Sequence, residues 1–413
     1  MTFSNNDPVT VEFAGLKSDA IYINKSNENA VVKLSSGYNI CIPENLCTLR
    51  KTAEIKAEAP EKKAEPLTQN SKLPLLSIIS TGGTIASTVN YRTGAVSSKF
   101  TAEDILRSIP ELGKIARYHT LQPFNILSEN MNPKMWQELA RSIYDEISSG
   151  SKGIIVTHGT DTMIYSAAAV SFMLDTPVPV IFVGAQRSAD RPSSDNAVNT
   201  ISAAKAAVSE LGEVVICMHS GTDDTECSLH RAVRVRKNHT SRRDAFRSIG
   251  RKPAGRITYP EGKLTLEDDA VRRGEKTLRL SDNFEAQCGL LLYYPGMSPD
   301  IFDAYQGYKG LVISGTGLGH VGTDCVKKIS ELNKAGTTVV MTSQCLEGSV
   351  CDRVYETGRD LLNAGVIEGG NMLPEVALVK LMWVLGNASR REDIVRLMQT
   401  NLKGELDSDI RRS

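Results

Sequence analysis

Apolar and polar residues alternate near the start of the chain. Val9-Thr-Val-Glu-Phe13, Ala20-Ile-Tyr-Ile-Asn24 and Ala30-Val-Val-Lys-Leu34 each put apolar side chains on one face of an extended backbone, with Gly and Asn between them. That period of two predicts short strands in a small β-rich domain over residues 1–52. A core of roughly 50 residues is marginal by itself, so this unit is expected to pack on the main body or on a partner. Residues 53–72 are dominated by Lys, Glu, Ala and Pro. Little of that can be buried, and a linker is predicted.

From residue 73 the pattern changes. Leu75-Leu-Ser-Ile-Ile-Ser80, Gly153-Ile-Ile-Val-Thr-His158, Val178-Pro-Val-Ile-Phe-Val-Gly184 and Glu213-Val-Val-Ile-Cys-Met-His219 are short continuous apolar runs. Helical patterns lie between them, such as Met135 to Tyr144 and Ala197 to Leu211. Buried strands alternating with helices predict a largely parallel sheet. The alternation returns in Gly289-Leu-Leu-Leu-Tyr-Tyr294, Gly310-Leu-Val-Ile-Ser-Gly315 and Thr337-Thr-Val-Val-Met-Thr342, with helices from Tyr355 and Pro374. The fold class is therefore α/β. A larger domain over 73–285 is followed by a smaller one over 286–413, joined by an irregular stretch at 245–285.

Composition narrows the function classes. The chain has 413 residues, 41% hydrophobic and 23% charged, with zero formal net charge. Overall charge thus points neither to nucleic acid nor to an anionic membrane. The eight cysteines include no Cys-x-x-Cys, a spacing that suits reduced thiols and a cytoplasmic location better than disulfides or a zinc site. The polar start, Met1 to Asp7, carries no signal-peptide pattern. No apolar run approaches the ~18 residues of a membrane span.

Two strand ends carry candidate chemistry. Thr81-Gly-Gly-Thr84 follows the first buried strand, where a glycine pair lets the backbone turn sharply and approach a ligand. A hydroxyl there can act as a nucleophile if a base is near, although Gly-Gly-Thr alone also fits a plain turn. Thr157-His-Gly-Thr-Asp-Thr162 follows the second. Asp161 beside Thr160 can hold a substrate ammonium and orient a water or hydroxyl, or it can simply cap the helix that follows.

Together, Ser80-Thr-Gly-Gly-Thr-Ile-Ala-Ser87 and Thr157-His-Gly-Thr-Asp-Thr-Met163 resemble the two signatures of the bacterial-type asparaginase/glutaminase family. Gly184-Ala-Gln-Arg-Ser188 with Ser194-Asp195, and Ser128-Glu-Asn-Met131, extend the resemblance to roughly 73–400. It implies a two-domain asparaginase-type fold with the active site at the domain junction and often in a subunit interface. It implies Thr84 as primary nucleophile, next to Gly83, with Thr160 and Asp161 beside Gly159 as the second catalytic pair. Lys237 falls where the family places a cooperating lysine, although by its surroundings it reads as a surface residue. Tyr91 would lie in a mobile loop and relay a proton, or else anchor that loop. Ser128 would hold the substrate α-carboxylate. Glu129 stands where many asparaginases carry Gln at the α-amino end. No metal is implied.

The β-unit and linker in front resemble the GatD family, part of the archaeal glutamyl-tRNA(Gln) amidotransferases, as do Val354-Tyr-Glu-Thr-Gly-Arg-Asp-Leu-Leu362 and Met372 to Trp383. That resemblance implies a homodimer core in a heterotetramer that releases ammonia from glutamine or asparagine. A GatE-type partner would use ATP and Mg, hold Glu-tRNA(Gln) and receive the ammonia. The chain contains no Gly-x-x-x-x-Gly-Lys-Ser/Thr, and Gly315-Thr-Gly-Leu-Gly-His320 only approaches a dinucleotide fingerprint, so a tight turn is expected there. A free-standing asparaginase and a non-catalytic scaffold remain as alternatives. Residues 231–256 hold ten Lys/Arg against Asp244 alone. They read as an exposed interdomain segment in preference to an RNA contact.

Overall fold

The computed structural model describes residues 3–4, 7–26, 28–34, 39–51, 69–82, 87–89, 96–98, 102–187 and 193–407. The N-terminal alternation forms a five-stranded antiparallel sheet from Pro8–Phe13, Leu16–Ser26, Asn29–Leu34, Asn39–Pro43 and Cys47–Lys51. Its first hairpin turns through Ala14 (φ 50°) and Gly15 (φ 76°), both left-handed, which matches the strand twist of a two-residue hairpin. Val9, Val11, Ala20, Tyr22, Ala30, Val32 and Ile42 give the unit a core of its own.

The apolar runs of the larger domain meet in one eight-stranded sheet. Its order is Leu264–Leu266, Gly255–Thr258, Glu226–Arg231, Val214–His219, Val180–Val183, Ile154–Thr157, Leu75–Ser80 and Arg117–Leu121. The five strands from Val214–His219 to Arg117–Leu121 run parallel. The other three add antiparallel pairs. The stretch expected to be irregular therefore extends the main sheet at one edge. Its strands are four and three residues long, too short for a period-two pattern to register.

Helices cover both faces. Asn196–Ala207 lies on one side; Pro133–Ser148 and Met163–Met173 lie on the other. Met163–Met173 is apolar all round and almost wholly buried, the mark of a helix sandwiched inside a protein. Its outer neighbour is Pro374–Asn387 of the smaller domain, with Phe172 and Trp383 stacked at 6.3 Å. One apolar core thus runs through both domains. The smaller domain's sheet is parallel: Cys288–Leu292, Gly310–Gly315, Thr338–Ser343 and Ile367–Glu368. Gly315–His320 is a tight turn closed by a Thr316–His320 bridge.

A buried ion pair fastens the C-terminal tail. Lys380 Nζ lies 2.6 Å from Glu405 Oε1, with both side chains fully buried. The ammonium also donates to Met398 O (2.9 Å) and Thr400 O (2.7 Å). Glu405 accepts from the backbone N–H groups of Leu402 and Lys403. Removing one ion from such a pair strands the other. Lys380→Met is expected to cost about 3–5 kcal/mol, read as a lowered denaturant midpoint. An unchanged midpoint would show that water reaches Glu405.

Candidate active site

Three strand ends of the parallel sheet and one hairpin build the site. The first strand, Leu75–Ser80, ends at Thr81, which is buried. Its N–H and hydroxyl both donate to Thr157 O, each at 3.0 Å. Gly82 follows with φ 105°, and a Cβ there would stand 2.4 Å from Ile126 O. Only glycine lets the chain leave the strand in that direction. Gly83, Thr84 and Tyr91 lie outside the described residues, directly after this fixed point or a few residues beyond it.

The second strand, Ile154–Thr157, delivers His158, Gly159, Thr160 and Asp161. A Cβ on Gly159 would stand 2.6 Å from Ser128 Cβ and 2.8 Å from Ser128 Oγ. Ser128 is therefore packed onto the bare backbone of the motif, and Thr162 Oγ1 donates to Ser128 O at 2.7 Å. Glu129, next to it in the short turn Ser128–Asn130, is exposed. The third strand, Val180–Val183, ends at Gly184, where a Cβ would stand 2.7 Å from Thr160 Cγ2.

The hairpin of Val235–Lys237 and Phe246–Ser248 supplies the cation. Lys237 Nζ donates to Thr160 Oγ1 at 2.9 Å and to Asp161 Oδ1 at 2.7 Å. The lysine side chain is 12% exposed, while that of Asp161 is 71% exposed, so the pair joins a largely buried cation to a carboxylate at the surface. The helix that follows starts at Met163 without a side-chain cap. The Asp161 carboxylate binds Lys237 instead of capping it. With Lys237 on one lone pair of Thr160 Oγ1, the threonine proton remains free to point elsewhere.

Ser128, Gly159, Thr160, Asp161 and Lys237 thus converge from three separate segments, the second and third joined by contacts across 76 and 77 positions. Several supporting groups were given no role by the sequence reading. Arg234, buried three residues before Lys237, donates to Gly404 O (2.9 Å), Asn371 O (3.1 Å) and Asp407 Oδ1 (3.0 Å). Asp195, fully buried, accepts from the N–H groups of Gln186 (3.0 Å) and Arg187 (3.0 Å) and from Asn199 Nδ2 (3.0 Å). His158 is buried beside Thr160. Burial pushes its pKa down to about 4, so it is neutral at pH 7.

The basic stretch 231–256 is neutralised. Each of its ten cations lies within ion-pair distance of a carboxylate. Among the described residues no group of three or more His, Cys, Asp or Glu side chains is disposed to hold a metal ion. All eight cysteines are free thiols. Among the described residues no helix is long and apolar enough to cross a membrane.

Residues 75–272 match the family model "Asparaginase, N-terminal", and residues 287–398 match "Glutaminase/Asparaginase C-terminal domain". The thermostable L-asparaginase from Thermococcus kodakarensis superimposes with a TM-score of 0.72 at 29% identity, over 81% of this chain and 99% of that one. The glutamyl-tRNA(Gln) amidotransferase D subunit of Methanosarcina mazei is 48% identical over 98% of this chain and 99% of its own length. Its counterpart in Archaeoglobus fulgidus is 51% identical over 97% of this chain and 94% of its own length. Neither asparaginase domain model includes the N-terminal sheet, yet the amidotransferase alignments span nearly the whole chain. The chain therefore belongs to the GatD family, the D subunits of glutamyl-tRNA(Gln) amidotransferases, built on the asparaginase fold.

Proposed function

We propose that this chain releases ammonia from glutamine, or from asparagine, by acyl transfer to Thr84, for use by a partner subunit. The observation that carries the reading is Lys237 Nζ within hydrogen-bond reach of both Thr160 Oγ1 and Asp161 Oδ1. Thr84 comes two positions after Gly82 in the sequence, and Gly82 is fixed against Ile126 at the end of the strand that pairs with Ile154–Thr157.

Thr84 Oγ attacks the side-chain carboxamide carbon and its proton passes to the Thr160–Lys237 pair, with Tyr91 as a relay. Backbone N–H groups of the strand-end loops stabilise the oxyanion. The C–N bond breaks, the nitrogen takes a proton and ammonia leaves, with an acyl-threonine ester behind. Water, oriented by Thr160 and Asp161, adds to the ester, and cleavage of the C–O bond returns Thr84 and the free acid. An ammonium has no lone pair and donates only. Lys237 acts as base in this cycle only after it loses a proton. Ser128, against Gly159, and Glu129 hold the α-carboxylate and α-ammonium ends of the substrate.

The ammonia then meets an activated glutamyl group on Glu-tRNA(Gln) held by a GatE-type partner that uses ATP and Mg. Two copies of this chain form the homodimer core of a cytoplasmic heterotetramer. Support for this half of the reading is the near full-length match to amidotransferase D subunits, N-terminal sheet included.

Three outcomes are expected. Lys237→Met lowers kcat for ammonia release by about 10²–10⁴-fold with KM little changed, and Lys237→Arg does not restore it, because a guanidinium does not deprotonate. A drop in kcat/KM carried by KM alone would make Lys237 a binding residue. Thr84→Ala abolishes ammonia release from both amides. In the parent chain, release is expected to rise sharply when the partner, ATP and Glu-tRNA(Gln) are added. Fast turnover of asparagine without them would instead indicate a free-standing asparaginase, and no release under any condition a scaffold.

A further inference from the structure

His219 ends the strand Val214–His219 with its side chain fully buried. Its Nδ1 lies 2.6 Å from Asn199 Oδ1, and its Nε2 lies 3.0 Å from Asp224 Oδ1. The orientation of the Asn199 amide is forced. Its Nδ2 donates to Gly184 O at 2.9 Å and to Asp195 Oδ2 at 3.0 Å. Turned over, the amide would set its oxygen against both of those oxygens. Asn199 Oδ1 therefore faces the imidazole as an acceptor. The Asp224 carboxylate faces it as an acceptor on the other side. A neutral imidazole has one N–H and would leave one of these contacts without a proton.

The two contacts lead to the two halves of the site. On one side, Asn199 and Asp195 hold the 184–187 loop through Gly184 O and the N–H groups of Gln186 and Arg187. Gly184 is packed on Thr160. On the other side, Asp224 Oδ1 takes Arg243 Nη1 at 2.6 Å, and Arg243 also donates to Thr222 O. Arg243 lies in the turn of the hairpin that ends its first strand at Lys237.

We propose that His219 is a positioning residue held as a buried imidazolium, whose charge keeps the 184–187 loop and the Lys237 hairpin in the arrangement that brings Lys237 to Thr160. The groups facing it come from every element packed around it. Cys227 is its partner in the antiparallel ladder, with Sγ 3.4 Å from Asn199 Oδ1. Cys217 lies two residues earlier on its own strand. Asp195 lies at the start of the Asn196–Ala207 helix, and Asp224, backed by Arg243, lies in the loop beyond the strand. Burial pushes the His219 pKa down, but Cys227 in its thiolate form, Asp224 and Asp195 outweigh it, and the net direction is up.

The sign follows. A raised folded-state pKa contributes order that is complete below the ordinary imidazole value of about 6.5 and is lost as pH rises through the raised value. The lock loosens on the alkaline side. Its effect on turnover rests on the amidohydrolase reading above; its effect on structure does not.

The full-length chain, labelled with ¹⁵N-histidine, tests both halves. Among the six histidines, His219 is assigned by the signal missing in His219→Gln. At pH 7 both of its ring nitrogens should be protonated, and Asp224→Asn should lower its titration midpoint. A neutral ring at pH 7 overturns the proposal. In His219→Gln, amide exchange of 184–187 and 238–245 should rise together, and unchanged protection in either segment overturns it too. With glutamine or asparagine, kcat in His219→Gln should fall about 10–100-fold with a smaller change in KM. In Asp224→Asn, the alkaline limb of kcat should move down with the ring's midpoint, and a limb that stays put overturns the coupling to Lys237. Absence of turnover in the parent chain counts against the amidohydrolase reading alone, since the ring titration and the exchange still decide the lock.

Discussion

The hydrogen bond from Lys237 Nζ to Thr160 Oγ1, with Asp161 on the same ammonium, is the contact that the rest of the site is arranged to allow. A lysine chain is long and mobile, and holding it against one hydroxyl costs rotamer entropy. That cost is met by a short hairpin anchored at several points. Arg234, at its root, is 2% exposed and is satisfied by oxygens of Asn371, Gly404 and Asp407. Arg243, at its turn, is held by Asp224 and Thr222. The C-terminal tail is fixed in its turn by the Lys380–Glu405 pair. A residue near the end of the chain thereby shares in aiming a side chain in the larger domain.

Close approach of backbones is the second constraint. Gly82 meets the carbonyl of Ile126, Gly159 meets Ser128, and Gly184 meets Thr160 and Met163, each closer than a Cβ would permit. Three parallel strands therefore end in loops that interdigitate instead of splaying. Ligand sites at the carboxyl ends of parallel strands are general to α/β sheets. Here the bare backbone lets hydroxyls from different loops converge on one small volume.

The segment 231–256 shows how far a local count of charge can carry. Its ten cations against one acid look like a surface for a polyanion. In the folded chain Asp244 pairs with Arg242 and Arg247. The other balancing carboxylates arrive from Asp161, Glu213, Asp224, Glu226, Glu267, Asp269, Glu375 and Asp407, all outside the segment. The run is a set of structural ion pairs that fasten the hairpin and the sheet edge. A chain of zero net charge agrees with that, because the opposite charges are present but far away in sequence.

What the sequence determined by itself is what depends on neighbours along the chain. Continuous apolar runs such as Leu75–Ser80 and Gly310–Gly315 became buried parallel strands, and alternation at Val9–Phe13 became an antiparallel strand that buries Val9 and Val11. The two Thr-bearing motifs pointed to the strand ends because glycine after a strand has a local steric meaning. The strands at Gly255–Thr258 and Leu264–Leu266 were not legible, since three or four residues carry too little periodicity. Asp161 and Lys237 each had a bland local reading, as helix cap and as surface lysine. Tertiary structure set those bland readings aside, by bringing positions 76 apart to 2.7 Å. The role of His219 was wholly invisible in the sequence, because it depends on which way one distant asparagine amide faces and on a carboxylate and an arginine brought together by folding. Hydrogen bonds and ion pairs across the sheet are set by distance in space, and only the fold supplies that distance.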